Sequence, residues 1–190
     1  MIDGTIDSIF KKGFSGTTLV DIAKQAGLSH GLVNFHFDSK EALFAETLRQ
    51  LAEEYRQVWR EVLAKAGSNP FDRLKALVDA NLDPRVCNPR SISVWYAFWG
   101  EAATRPAYHK ICSGRDAEYR EALLAACRAA TESGKYKQKP GAVAEMLDIM
   151  TDGLWLTVQL DPGPKRMSKL QTATATLLET LYPRHFPRPE

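Results

Sequence analysis

Apolar residues recur at spacings of three and four along almost the whole chain, and no stretch alternates apolar with polar between hairpin turns. That pattern belongs to amphipathic helices, so the predicted class is all-α. Breaking residues collect at Gly13, Gly27, Asp38-Ser39, Gly67–Pro70, Asp83-Pro84, Asn88-Pro89, Arg105-Pro106, Lys139–Gly141 and Asp161–Pro164. The segments between them predict helices near 2–12, 18–25, 29–36, 39–66, 70–82, 89–104, 106–133, 141–160 and 166–181. The first three are much shorter than the rest. The fourth reads as a rigid connector between a small head, residues 1–45, and a larger body, residues 46–190.

The head holds the most specific pattern. Thr18-Leu19-Val20-Asp21 fits a capping box: the Thr18 hydroxyl takes a backbone N–H, and Asp21 reaches back in place of the usual Glu. Leu19, Ile22, Ala23 and Ala26 then form an inner stripe, Gly27 permits a left-handed turn, and Ser29 caps the next helix. Helix, tight glycine turn and helix in that order can place the second helix in a DNA major groove, about 12 Å wide. Leu32, Val33 and Phe37 are expected to anchor that helix, leaving Ser29, His30, Asn34 and His36 available to base edges and phosphates. Gly31 leaves little side chain there, so the backbone can come close. Taken singly, His30 and His36 fit ordinary solvated histidines, and Thr18 and Lys40 fit simple helix caps.

Charge does not point to nucleic acid by itself. The 190 residues carry 25 Lys+Arg against 23 Asp+Glu, and residues 1–45 hold four lysines against five carboxylates. A polyanion partner normally meets a basic surface, so the motif must carry the DNA reading. With 44% hydrophobic residues the chain should fold. No apolar run approaches the ~20 residues that cross a bilayer, and Asp3 and Asp7 stand where a signal peptide is basic. A cytoplasmic protein is expected. Cys87, Cys112 and Cys127 form no CxxC pair and read as reduced, buried thiols. There is no glycine-rich phosphate loop, no GxSxG elbow and no zinc-spaced Cys/His cluster, and His109-Lys110-Ile111-Cys112 is a lone HxxC. No catalytic residue, metal or cofactor is expected.

The run Gly13-Phe14, Thr17–Ala23, Ala26–Ser29, Gly31–Val33 and Phe37–Leu43 resembles the DNA-binding domain of the TetR family of repressors. The resemblance implies a three-helix head on a six-helix ligand-binding body, dimeric through the last two helices. It also implies binding to palindromic operator DNA and release by a small molecule. In that family the positions of Lys40 and Thr18 contact phosphates. Two departures stand out. Asn34 replaces the family's usual Tyr, exchanging an aromatic phosphate contact for an amide able to pair with adenine. The basic residues common before the first helix are also lacking here, which leaves open an absent arm or a weaker grip on DNA.

In the body, Leu170, Ala173, Thr174, Leu177, Leu178 and Leu181 form an apolar stripe on the last helix. Ala142, Leu147, Met150, Leu154 and Val158 form one on the helix before it. Leu154, Val158, Leu170, Thr174, Leu177 and Leu181 are therefore candidates for a two-fold four-helix interface. The residues alone fit equally a pair of helices facing their own core. Trp95, Tyr96, Phe98 and Trp99 crowd one and a half turns, and Asp148, Asp152 and Trp155 share a face of another helix. Trp95, Trp99, Asp148, Asp152 and Trp155 could line a cavity for an organic cation by cation–π attraction and counter-charge. The bland reading is an aromatic core with Asp152 paired or capping backbone. Ser93–Trp99, Pro106–His109 and Asp152–Leu156 are similar to the C-terminal domain of the choline-responsive BetI branch of the family. That resemblance implies choline or a related quaternary amine as effector. Two other readings stay open: a helical-bundle enzyme with Asp148 or Asp152 as acid or base, and a ligand-binding dimer that has lost DNA affinity.

Overall fold

The computed structural model of the protein describes residues 1–186; the end of the expected 46–190 body, residues 187–190, lies outside them. Among the described residues there are nine α-helices and no strand. They are α1 (Ile2–Gly16), α2 (Leu19–Ala26), α3 (His30–His36), α4 (Lys40–Lys65), α5 (Pro70–Ala80), α6 (Pro89–Ala102), α7 (Pro106–Ser133), α8 (Pro140–Leu160) and α9 (Pro164–Leu181). The expected 39–66 becomes 40–65 and 166–181 becomes 164–181, and most other ends move as little. The exception is α1, which runs on to Gly16 through a kink at Gly13, where φ is 74° and ψ 173°. Gly13 thus bends the chain instead of ending the helix, in a conformation a side chain would strain. No helix of the described residues is long and apolar enough to cross a membrane.

The chain packs as two compact units, to both of which α4 and α7 contribute. The first unites residues 1–55 with 89–115, because α6 packs along α1. Ile6, Ile9, Ile22, Val33, Leu43, Phe44, Ile92 and Phe98 are buried in it. At Gly4 an added Cβ would come 2.8 Å from Ala26 Cβ, so glycine there is what lets α1 and α2 close up. Arg90 of α6 donates to Asp7 at 2.6 Å and to Asp3 at 3.1 Å, tying α6 to the first turns of α1. The packing boundary therefore differs from the 1–45/46–190 division read from the sequence.

The second unit, residues 56–88 and 116 onward, packs α9 against α5 and α8. Pro70 opens α5 behind an Asn69 cap that accepts the Phe71 N–H at 2.9 Å. Buried Asn81 is satisfied from several sides: its side-chain amide donates to the Tyr119 hydroxyl at 2.6 Å, and its backbone carbonyl accepts the Trp155 indole N–H at 2.8 Å. Tyr182 closes the end of α9 against Phe71 and Tyr136. All three cysteines are buried, and none of them is in a disulfide. Burial pushes the Cys87 thiol up to about 11 and the Cys127 thiol to about 12, so both are poor nucleophiles at neutral pH.

Candidate functional site

The turn between α2 and α3 is fixed by its caps. Thr18 Oγ1 accepts the Asp21 N–H at 3.2 Å, and Asp21 Oδ2 accepts the Thr18 N–H at 3.1 Å, completing the capping box. Asp21 also accepts from Lys12 at 2.5 Å and from the Thr18 hydroxyl at 2.8 Å. The Lys12 ammonium, followed by the Thr18 hydroxyl, holds the Asp21 carboxyl well below the usual range, at about 2. Gly27 is left-handed at φ 67°, and the Leu28 N–H turns back to the Ala23 carbonyl at 2.9 Å. Ser29 Oγ then accepts the Leu32 N–H at 3.1 Å and starts α3.

Held this way, α3 presents His30, Gly31, Asn34 and His36 to solvent, with the capping residues Thr18 and Ser29 also exposed. Asn34 and His30, one turn apart, meet at 3.4 Å. Val33 is fully buried and Phe37 half-buried, as expected of anchors, but Leu32 is not an anchor: it is 40% exposed. With only seven residues, α3 has less than two turns, and Val33 alone takes the inward direction. Sequence reasoning also passed over Phe35, which stands 82% exposed beside Asn34. The available signal was an apolar residue one position beyond Asn34, on a helix whose inward direction Val33 already occupies.

Lys40, at the start of α4, is half-buried; its ammonium donates to the Phe14 carbonyl at 3.4 Å and lies 5.0 Å from the Phe44 ring. Phe14, delivered by the Gly13 kink, is clamped edge-on by Phe44 of α4 at 4.9 Å, Phe98 of α6 at 5.5 Å and Tyr108 of α7 at 5.9 Å. The acidity counted against the head is largely offset here. Asp3 and Asp7 pair with Arg90, Asp21 with Lys12, and Glu41 lies 4.0 Å from Arg105. Two of those cations come from α6 and the α6–α7 turn, beyond the 1–45 window.

The cation cavity read from the sequence is arranged differently. Trp95 and Trp99, 6.0 Å apart, belong to the first unit, where a cation of the chain itself occupies their faces. The Arg115 guanidinium lies 4.4 Å from the Trp95 ring, 5.4 Å from Trp99 and 4.8 Å from Tyr55 of α4. Asp148, Asp152 and Trp155 belong to the second unit. There Trp155 is buried with its indole N–H on the Asn81 carbonyl, and Asp148 is held by Arg120 at 2.5 Å. Asp152 is exposed, not turned inward. Three residues along a helix leave it about 60° round from Trp155, enough to carry it out of the buried stripe. Asp148 also lines a cavity of about 400 Å³ with Arg120, Leu124 and Glu145.

The candidate interface residues divide as well. Leu154, Val158, Leu170 and Thr174 are buried within this one chain, so they have little area left to offer a second copy. Leu177 and Leu181 are half-buried. The outward face of α8 instead carries Met146, Ile149, Leu156 and Leu160, between 44% and 76% exposed, with Gly153 between them. Their spacing of three and four repeats the inner stripe on the opposite side of the helix.

Residues 1–47 match the family described as "Bacterial regulatory proteins, tetR family", and residues 70–183 match "BetI-type transcriptional repressor, C-terminal". The chain belongs to the TetR family, in its BetI-type branch. A TetR-family relative from Paraburkholderia phymatum, the HTH-type transcriptional regulator BetI, is 33% identical over 177 residues, covering 86% of this chain and 82% of that protein. A TetR-type fold recurs in a transcriptional regulator from Pseudomonas aeruginosa PAO1, with TM-score 0.78 and 26% identity over 96% of this chain and 90% of that one. A regulator from Saccharomonospora viridis, solved in complex with choline, has the same fold at TM-score 0.79 and 20% identity, covering 94% and 93%. The protein is a TetR-family transcriptional repressor with a helix-turn-helix head, not an enzyme.

Proposed function

We propose that the protein binds palindromic operator DNA as a homodimer in the cytoplasm and is released by a small quaternary amine such as choline. The observation that carries the DNA reading is α3: capped at its start by Ser29, anchored by Val33, and turning Asn34, His30 and His36 outward. A helix so fixed can lay its polar face along base edges in the major groove while Lys40 and Thr18 meet phosphates. Lys40 reaches a phosphate by exchanging its 3.4 Å bond to a neutral carbonyl for one to an anion, which is the stronger partner. For the dimer, the outward stripe Met146, Ile149, Leu156 and Leu160 on α8, with Leu177 and Leu181 of α9, supplies the apolar face; two copies then read two half-sites about a helical turn apart. The effector class is supported by the choline complex of the S. viridis regulator and by the aromatic cluster around Trp95 and Trp99.

The test is a gel shift with DNA from upstream of the protein's own gene, followed by titration with choline. A retarded band that footprints as two half-sites and dissolves with choline is the expected result. Binding indifferent to sequence would remove the operator reading, and a band untouched by choline, betaine aldehyde and tetramethylammonium would remove the effector class.

A further inference from the structure

The aromatic cluster of the first unit already holds a cation. Tyr55, Trp95 and Trp99 present three ring faces within 4.4–5.4 Å of one guanidinium, that of Arg115, which is only 8% exposed. Arginine is the side chain that most closely imitates a weakly hydrated organic cation, being planar, delocalised and permanently charged. A quaternary ammonium cannot add to this cage as it stands, because two cations a few ångströms apart inside a protein repel strongly and both would be desolvated. We infer that Arg115 is an internal stand-in for the effector, and that a quaternary ammonium binds the Tyr55–Trp95–Trp99 cage only by displacing it. This rests on the quaternary-amine reading above and adds the event by which binding is felt.

The same three helices make the exchange consequential. Helix α4 gives Tyr55 to the cage and Phe44 to the clamp on Phe14; α6 gives Trp95 and Trp99 to the cage and Phe98 to the clamp; α7 gives Arg115 and Tyr108. At 1.5 Å per residue, Tyr55 lies about 16 Å along α4 from Phe44, and Arg115 about 10 Å along α7 from Tyr108. Phe14 belongs to α1, the helix on which α2 packs. Withdrawing Arg115 removes one group that touches α4 and α6 together from α7, beside the Tyr108–Phe98 contact that remains, so the three helices can shift against one another and loosen their hold on α1. The ligand acts through its preference for the state without Arg115 in the cage, and can move the equilibrium only by that preference.

Two measurements decide it. In wild type, the Arg115 Nε–Hε resonance should lie upfield, under the ring currents of three aromatic faces, and should return toward the position of a solvated arginine as choline is added. In Arg115→Met the cage is vacated, and because an occupied site lowers apparent affinity by the fraction of time it stands open, calorimetry should show choline binding about tenfold tighter or more. Tetramethylammonium should behave alike. An Arg115 resonance unmoved at choline saturation, or equal affinities in the two proteins, overturns the displacement while leaving choline as effector if it still releases DNA. If neither protein binds any quaternary amine, the effector class fails and the displacement with it. Should Arg115→Met not fold, the wild-type titration alone decides.

Discussion

Asn34, Phe35 and Lys40 differ in what they can do to a duplex. The Asn34 amide can both donate and accept, as adenine's major-groove edge requires, whereas an ammonium attracts any phosphate and distinguishes none. Lys40→Ala should therefore weaken binding to every duplex and flatten the dependence of affinity on salt by about one unit of slope. Asn34→Ala should cost ~1–3 kcal/mol at a single base step and relax the preference there. Competition between an operator fragment and a scrambled one separates the two: an equal loss on both for Asn34→Ala means the amide reads no base. Phe35 offers an apolar face at 82% exposure, suited to a thymine methyl. Wild type should lose affinity for a fragment prepared with uracil in place of thymine, and Phe35→Ala should be indifferent to that replacement; indifference in wild type would exclude methyl contact. Polar outward positions were legible in the sequence because Ser29 is a preferred N-cap and His30, Asn34 and His36 are polar residues on a seven-residue helix. Leu32 and Phe35 were not, because apolarity says which residues prefer burial and not which find it.

Helix ends were the most legible elements, since a cap is a local bargain between neighbours: Thr18 with Asp21, Ser29 with Leu32, and Gly27 in its left-handed turn all stand as read. The α2 cap also carries a pH dependence. Asp21 is held at about 2 by Lys12 and Thr18, so its contribution to α2 is complete above its ordinary value of 3.8 and is lost as pH falls through about 2. The protection of α2 amides against hydrogen exchange, taken relative to their intrinsic rates at each pH, should fall between about pH 4 and pH 2 in wild type. In Asp21→Asn α2 should be weaker at neutral pH, because a neutral amide replaces the carboxylate that accepts from Lys12 and Thr18, and should lack that acid limb. An acid limb of the same size in both proteins would show that Asp21 is not its source. The faces of long helices were less legible. Helix α8 is apolar on two sides, and spacing of three and four alone cannot tell the stripe around Leu147, Leu154 and Val158, which is buried, from the one at Met146, Ile149, Leu156 and Leu160, which is exposed. Cross-helix partners were least legible. Nothing in the sequence around Tyr55 or Arg115 marks them as neighbours of Trp95.

For the whole molecule, the exposed side of α8 decides how many heads can act together. Met146, Ile149, Leu156 and Leu160 span about 21 Å of helix and leave an apolar strip that the chain's own core does not cover. A strip of that kind is ordinarily an association surface. Because Leu154, Val158, Leu170 and Thr174 are already buried, substituting them would damage the fold and would give monomers for the wrong reason. Ile149→Arg with Leu156→Arg places two charges on the outer face alone. This variant should keep the helical signal and thermal transition of a folded subunit while light scattering reports a monomer. Its affinity for a two-half-site operator should fall by about 10²–10⁴, the factor that linking two modules commonly supplies, while its affinity for a single half-site stays near that of the wild-type head. A folded variant that still scatters as a dimer would locate the interface away from this face. A monomer that binds the full operator undiminished would instead mean that one head suffices, and that the palindrome plays no part in recognition.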